Sequence, residues 1–331
     1  MKTPLDKSLS LENKTLAVQP PLEFGLHRRN GVALVGPTGA GKSTLFNQLV
    51  GEKVSIVSHR PQTTYHLIAG SWVSASPPPM RIHLWDTPGF HVAKHPLKSV
   101  LLRNTHQALS ECQLVAWVFS VTEVERQFQT RTYASKMQEL FDSGKPQVLL
   151  LSKQDLYPKE RLLPLLRQLG CSPFFKDLIP LSGRTGENTD RFLEVLLGYG
   201  VGEPVLCDSA PTPKTDLPLD FRVREILREK LYKHLEQEVA YSVLPRVTVI
   251  PREDRTTPST LVRATLSVER DSQKGILIGK RGALLKRIGT ESRLEMEKLL
   301  QTQVYLDLHV TVFKNWRRNK EILRRWVNTY T

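Results

Sequence analysis

The sequence predicts an α/β chain in two parts: a doubly wound, mostly parallel sheet, then a smaller α+β domain. Three observations carry this. Short apolar runs of strand length alternate with amphipathic helical stretches through the first part of the chain. The segment 202–217 then breaks the alternation with Pro204, Pro211 and Pro213 among Ser, Thr and Asp. After it the order of elements changes to α-β-β-α-α-β. A length of 331 residues agrees with about two domains.

Taken in order, residues 1–29 lack an apolar core for a secretory signal and read as a flexible tail with Pro20-Pro21. The domain 30–201 opens on the strand Val32–Val35. Further strands are expected at Arg81–Trp85, Leu114–Val121, Gln147–Leu151 and Ile179–Leu181. Each is an apolar run, as a strand buried on both faces requires. Helices are expected at Ser43–Val50, Lys98–Ser110, Arg131–Ser143, Lys159–Leu169 and Asn188–Leu197. Residues 202–217 read as a linker. In the domain 218–331, Val223, Ile226, Leu227, Leu231 and Leu235 mark a helix over Phe221–Glu238. Strands at Arg246–Pro251 and Leu261–Glu269, the short run Gly275–Ile278, then a Gly-rich break, a helix Ala283–Leu300 and a strand Val304–Phe313 complete the order. The basic tail carries Trp316 and Trp326 and is expected to pack on the domain with its charges solvated.

The formal net charge of +14 implies a polyanionic partner, either nucleic acid or an anionic membrane surface. Cys112, Cys171 and Cys207 fit no metal-binding spacing and read as reduced thiols of a cytoplasmic protein. No stretch reaches the ~18 apolar residues of a membrane span.

Gly36-Pro37-Thr38-Gly39-Ala40-Gly41-Lys42-Ser43, followed by Thr44, matches G-x-x-x-x-G-K-[ST] between a strand and a helix. Such a loop turns backbone N–H groups toward phosphate oxygens at a helix N-terminus. Lys42 is placed for the β- and γ-phosphates and the Ser43 hydroxyl for Mg²⁺. Asp86-Thr87-Pro88-Gly89 ends a strand, where Asp86 can reach Mg²⁺ and the Gly89 N–H a γ-phosphate. In Pro61-Gln62-Thr63-Thr64, Thr64 is the first choice to complete the metal shell and Thr63 the second. Ser152-Lys153-Gln154-Asp155 is close to N-K-x-D, whose Asp accepts two hydrogen bonds from guanine; adenine lacks that donor pair. Ser182-Gly183-Arg184 follows the next strand, with the Gly183 N–H near guanine O6.

In the second domain Gly279-Lys280-Arg281-Gly282 is a G-x-x-G loop between helices, within the order of a type II KH domain. Glycines let an RNA backbone approach. Lys280 and Arg281, with Lys286, supply charge for phosphates. Gly275 and Ile278 belong to the same candidate surface, and Leu277 and Ile278 are expected on the groove floor.

The ordered motifs, with the string Val268–Gly275, Ile288-Gly289-Thr290-Glu291 and Lys314-Asn315-Trp316, resemble the Era family, GTPases of small-ribosomal-subunit assembly. The resemblance runs from about Gly31 to Trp316. It implies a P-loop GTPase domain joined to a type II KH domain, GTP and GDP as ligands, and Mg²⁺. It also implies slow intrinsic hydrolysis, and binding near the 3′ end of small-subunit ribosomal RNA and to the 30S-type subunit. A monomer is expected, and peripheral membrane contact has been linked to the family. Lys42, Thr64 and Gly89 would be transition-state contacts; no catalytic base is assigned. The family usually carries Asn at Ser152, where it braces the phosphate loop. It also carries Asn at Gly39, a residue tied to potassium use, and often Arg at Tyr65. Phe90 stands where many GTPases carry a water-positioning Gln. An RNA-binding scaffold with a degenerate nucleotide site is the alternative those departures raise. A P-loop kinase of a small metabolite would need neither Asp155 nor the second domain.

Overall fold

The computed structural model describes residues 31–58, 64–89, 98–127, 131–205, 214–252, 259–319 and 321–323. The first part runs β1 (Gly31–Val35), α1 (Lys42–Val50), β2 (Ile68–Val73), β3 (Met80–Asp86), α2 (Lys98–Glu111), β4 (Leu114–Ser120), α3 (Val121–Gln127) and α4 (Arg131–Asp142). It continues with β5 (Gln147–Ser152), α5 (Lys159–Gly170), β6 (Asp177–Pro180), α6 (Thr189–Gly198) and β7 (Glu203–Pro204). The sheet order is β2-β3-β1-β4-β5-β6, with β7 beside β3. The five apolar runs became β1, β3, β4, β5 and β6, all parallel. Their alternate residues feed two cores. Val32 and Leu34 face one side with Leu45 and Phe46 of α1; Ala33 and Val35 face the other with Tyr133 and Met137 of α4.

Two elements of this part differ from expectation. β2 was not read, because Gly70 and Ser71 interrupt its apolar run; it pairs antiparallel on β3, with Ile68 opposite Asp86. Val121 is the first residue of α3 rather than the last of a strand. The Glu123 carboxylate accepts hydrogen bonds from Ser120 N (3.0 Å) and Ser120 Oγ (2.8 Å), which turns the chain into a helix there.

The second part consists of α7 (Leu219–His234), α8 (Gln237–Ala240), β8 (Leu244–Arg252), β9 (Ser259–Val268), α9 (Asp271–Ile278), α10 (Ala283–Leu300) and β10 (Gln303–Val312). Its sheet has the order β10-β9-β8, with β10 parallel and β8 antiparallel to β9. α7, α9 and α10 cover one face through Val223, Leu227, Leu277, Ile288 and Met296. The helix expected over Phe221–Glu238 stops at His234, and Leu235 is extended before α8. The run Gly275–Ile278 is the second half of α9, and the Gly-rich break follows it at Gly279–Gly282.

The segment read as a linker is anchored at both described ends. Glu203–Pro204 pair with β3, Lys214 O accepts from Ser71 N (2.8 Å), and Thr215 Oγ1 donates to Ala69 O (2.7 Å). Leu217, and Phe221 at the start of α7, sit in the first domain's core. α7 therefore packs on both domains. Trp316 is buried and its Nε1–H donates to Ser242 O (2.9 Å), so this tail residue packs as expected. Trp326 lies outside the described residues.

Candidate nucleotide and RNA sites

The phosphate loop hangs between β1 and α1. At Gly36, with φ of 145°, any Cβ would lie 2.1 Å from Val118 O, so β4 presses directly on the loop. Lys42 is buried and its Nζ donates to Pro37 O (2.7 Å) and Gly36 O (3.1 Å). Burial lowers its pKa, against the charges of Asp86 and Glu123. Its curled side chain places the amine beneath the loop.

Oxygens of four side chains meet beside it. Ser43 Oγ donates to Asp86 Oδ2 (2.6 Å) and lies 3.1 Å from Thr64 Oγ1. Ser55 Oγ also donates to Asp86 Oδ2, at 2.7 Å. Burial raises the Asp86 pKa; Lys42 and the hydrogen bonds from Ser43 and Ser55 oppose this. Asp86 Oδ1 is buried and has no hydrogen-bond partner among the described residues. A buried carboxylate oxygen beside the hydroxyls of Ser43, Ser55 and Thr64 is the all-oxygen set that suits Mg²⁺. Ser55 was not anticipated; a lone serine in a loop carries no signal.

On the far side, Arg184 Nη2 donates to Asp155 Oδ2 (2.5 Å). The Asp155 pKa is lowered, first by a hydrogen bond from Ser182, then by Arg184 against desolvation. Lys153 has φ of 61° and its Nζ donates to Gly39 O (2.6 Å). Ser152 Oγ donates to Ala40 O (2.5 Å), so the shorter side chain still reaches and braces the phosphate loop. Tyr65, another of the departures, is buried, and the Arg228 guanidinium lies 4.6 Å from its ring centre.

A cavity of about 520 Å³ joins these groups. Thr38, Gly39, Gly41, Lys42, Ser43, Thr44, Thr64, Gly89, Ser152, Lys153, Asp155, Ser182, Gly183 and Arg184 line it. So do Ile56, Val57, Ser58 and Leu156, which the motifs did not mark. Gly36, Pro37, Ala40, Asp86, Thr87 and Pro88 are not on its wall. Thr87 is buried and donates to Leu34 O (2.8 Å), and Pro88 O accepts from Thr105 Oγ1 (3.3 Å). These two bonds fix the turn that presents Gly89. Pro61, Gln62, Thr63 and Phe90 lie outside the described residues.

In the second domain Gly279 has φ of 73°, and a Cβ there would come 2.6 Å from Leu284 Cβ. Only glycine lets α9 turn this tightly into α10. Lys280 and Arg281 are exposed at that turn, and Lys286 is exposed in the first turn of α10. A second cavity of about 400 Å³ is lined by Gly282, Leu285, Lys286, Gly289, Thr290, Arg293, Leu306 and Leu308. Its floor is made by α10 and β10. Leu277, expected on that floor, is instead buried in the core, and Gly275 and Ile278 belong to α9 outside the cavity wall. The helical period turns Leu277 inward, which a motif-centred reading overlooks.

Comparison with known proteins matches this geometry. Residues 31–153 match the family described as 50S ribosome-binding GTPase, and residues 247–317 the KH domain. GTPase Era of Geobacter sp. (strain M21) is 38% identical over 300 residues, 90% of this chain and 97% of that one. The chain belongs to the Era GTPase family. A chloroplastic GTPase ERA1 of Zea mays is 34% identical, covering 91% of this chain and 70% of that one. Among solved structures, a point variant of Aquifex aeolicus Era bound to GDP·AlF4⁻ superposes with a TM-score of 0.80 at 30% identity, over 91% of this chain and 98% of that one. Era in complex with MgGDPNP and nucleotides 1506–1542 of 16S ribosomal RNA gives the same TM-score and identity, over 91% and 99%. Membership establishes a P-loop GTPase domain followed by a KH domain, in the order the Era-like motifs implied.

Proposed function

We propose that this Era-family chain binds and hydrolyses GTP, engages ribosomal RNA near the 3′ end of the small-subunit rRNA, and assists assembly of that subunit. One observation carries the reading: Lys42, Ser43 and Thr64 share a single cavity with Asp155, and Asp86 bonds Ser43 from behind its wall. A phosphate, a divalent cation and a base are thereby read in one ligand.

Lys42 would give its Nζ to the β- and γ-phosphate oxygens in place of Pro37 O and Gly36 O. Ser43, Thr64 and Asp86 would hold Mg²⁺, which neutralises charge on the β- and γ-oxygens when bound. The Gly89 N–H would contact the γ-phosphate. Asp155 would accept from the guanine edge, with Arg184 moving aside, while the Lys153 stem lies on the base and the Ser182–Arg184 turn meets O6. Lys42, Thr64 and Gly89 are the groups placed for charge that develops during transfer.

In the KH domain, Lys280, Arg281 and Lys286 would pair with phosphates while Leu285, Leu306 and Leu308 offer an apolar floor to unstacked bases. The relative solved with 16S rRNA supports the choice of RNA. No described helix is long and apolar enough to cross a membrane. We read the chain as a cytoplasmic monomer.

A competition titration tests this. With Mg²⁺ present, GTP should displace a fluorescent guanine nucleotide, and ATP and XTP should not. Equal competition by ATP would mean that Asp155 does not read the base. Absence of binding would leave an RNA-binding scaffold.

A further inference from the structure

The loop between α1 and β2 has two faces. Ser55 and Thr64 bond at the candidate metal site, Ser55 to Asp86 (2.7 Å) and Thr64 to Ser43 (3.1 Å). The residue after each packs on the second domain. Ile56 is buried in the KH-domain core cluster with Val223, Leu227 and Leu231 of α7. Tyr65 is buried among Leu244 and Trp316, under the guanidinium of Arg228.

Arg228 is itself rigidly held. Its Nη1 donates to both carboxylate oxygens of Glu225 (2.7 and 2.8 Å), and its Nη2 to Tyr232 Oη (3.0 Å). Burial opposes its charge, but Glu225, Tyr232 and Tyr65 outweigh that and keep it protonated. Beside it, Arg224 Nη2 lies 3.2 Å from His66 Nε2 and its guanidinium 4.9 Å from the Phe221 ring. Lys53 bonds Glu229 (2.7 Å) and Glu295 (2.5 Å), and Arg222 bonds Glu52. These contacts tie the described parts of the loop, residues 51–58 and 64–67, to α7 and α10.

We propose that Tyr65, clamped by Arg228 of the KH domain, is a positioning residue for Thr64, so that the second domain is a structural part of the GTPase site. This rests on the GTPase reading above. Consecutive Cα atoms are about 3.8 Å apart across a rigid peptide. Tyr65 therefore cannot leave its seat without moving Thr64 relative to Ser43. Thr64 can serve only a ligand that brings a γ-phosphate and its Mg²⁺, the contacts that order such loops in GTPases. GDP binding needs Lys42, Ser43 and Asp155, none of which Tyr65 touches. The clamp should thus be worth little to GDP and much to GTP. By reciprocity, Mg²⁺–GTP should tighten the seating of α7.

The test uses the full chain. Dissociation constants for GDP and for the non-hydrolysable GDPNP, with Mg²⁺, are measured for the unaltered protein, Tyr65→Leu and Tyr65→Phe. Tyr65→Leu should lose roughly tenfold or more in GDPNP affinity and less than about twofold for GDP. It should also need more Mg²⁺ to bind GDPNP. Tyr65→Phe keeps the ring under Arg228 and should keep the unaltered ratio. An unchanged ratio in Tyr65→Leu, or equal loss of both nucleotides, overturns the proposal, since a merely structural role weakens both alike. Should Tyr65→Leu not fold, hydrogen exchange in the unaltered chain decides. Mg²⁺–GDPNP should slow exchange of the 222–234 amides several-fold relative to GDP, and equal exchange overturns the proposal. The unaltered protein's own titrations test the GTPase reading separately.

Discussion

Replacing Gly89 by Ala probes the γ-phosphate contact directly. A Cβ at Gly89 would lie 2.5 Å from Thr38 Cγ2, 2.9 Å from Thr38 N and 3.1 Å from Thr38 Cα. The methyl could rotate away, but the backbone nitrogen belongs to the phosphate loop. Restoring ordinary contact with it requires the Asp86–Gly89 turn and the loop to separate by about 0.5 Å. The turn is held from behind by Thr87 on Leu34 O and by Thr105 on Pro88 O, so it gives locally, at Gly89. A hydrogen bond of about 2.9 Å from the Gly89 N–H to a γ-phosphate oxygen would stretch to about 3.4 Å and be largely lost. A bond to a charged group is worth about 1.5–3 kcal/mol. The expected loss is therefore roughly 10- to 150-fold in GDPNP affinity, with a parallel fall in single-turnover GTP hydrolysis. GDP carries no γ-phosphate, and its affinity should stay within about twofold. Isothermal titration with both nucleotides measures this. Undiminished GDPNP binding would show that Gly89 faces no phosphate. Equal loss of both nucleotides would show that the substitution damages the loop instead.

Three further outcomes are expected. Converting Lys280 and Arg281 together to Asp should weaken single-stranded RNA binding and flatten its salt dependence by about 0.7 per lost phosphate contact, with GTP affinity unchanged; filter binding across a salt series reads both. Glu291, bonded by Lys233 and His234, has its pKa lowered to about 2, so its contribution to stability is present above the ordinary carboxylate range and lost as pH falls toward 2. Glu291→Gln should then lower the urea midpoint at pH 7, and the difference from the unaltered chain should shrink between about pH 4.5 and pH 2. Trp316→Phe removes the buried donor to Ser242 O and should cost about 1–3 kcal/mol in denaturant unfolding, without changing nucleotide affinity.

Local chemistry was legible in the chain. The phosphate loop, the Asp86–Gly89 turn and the Gly279–Gly282 turn are contiguous strings whose backbone geometry depends on their own glycines and flanking elements. The central strands were legible for a related reason: being covered on both faces, they must be apolar throughout. β2 was not, since an edge strand with one close helix neighbour tolerates Gly70 and Ser71. The brace from Ser152 to Ala40 O joins residues far apart in the chain, and the identity of Ser152 alone suggested a lost contact rather than a shorter one.

The fusion of the two domains lay beyond reach of any pattern. Along α7, the apolar residues Val223, Leu227 and Leu231 announce one buried face, while Arg224, Glu225 and Arg228 look like a solvated one. In the folded chain those three charges are also buried, because Tyr65 and His66 arrive from the other domain to meet Arg228 and Arg224, and Glu225 pairs with Arg228. Hydrophobic periodicity counts only side chains that water repels. It is blind to a charge whose partner comes from a distant segment, and that pairing exists only once both domains have folded and met.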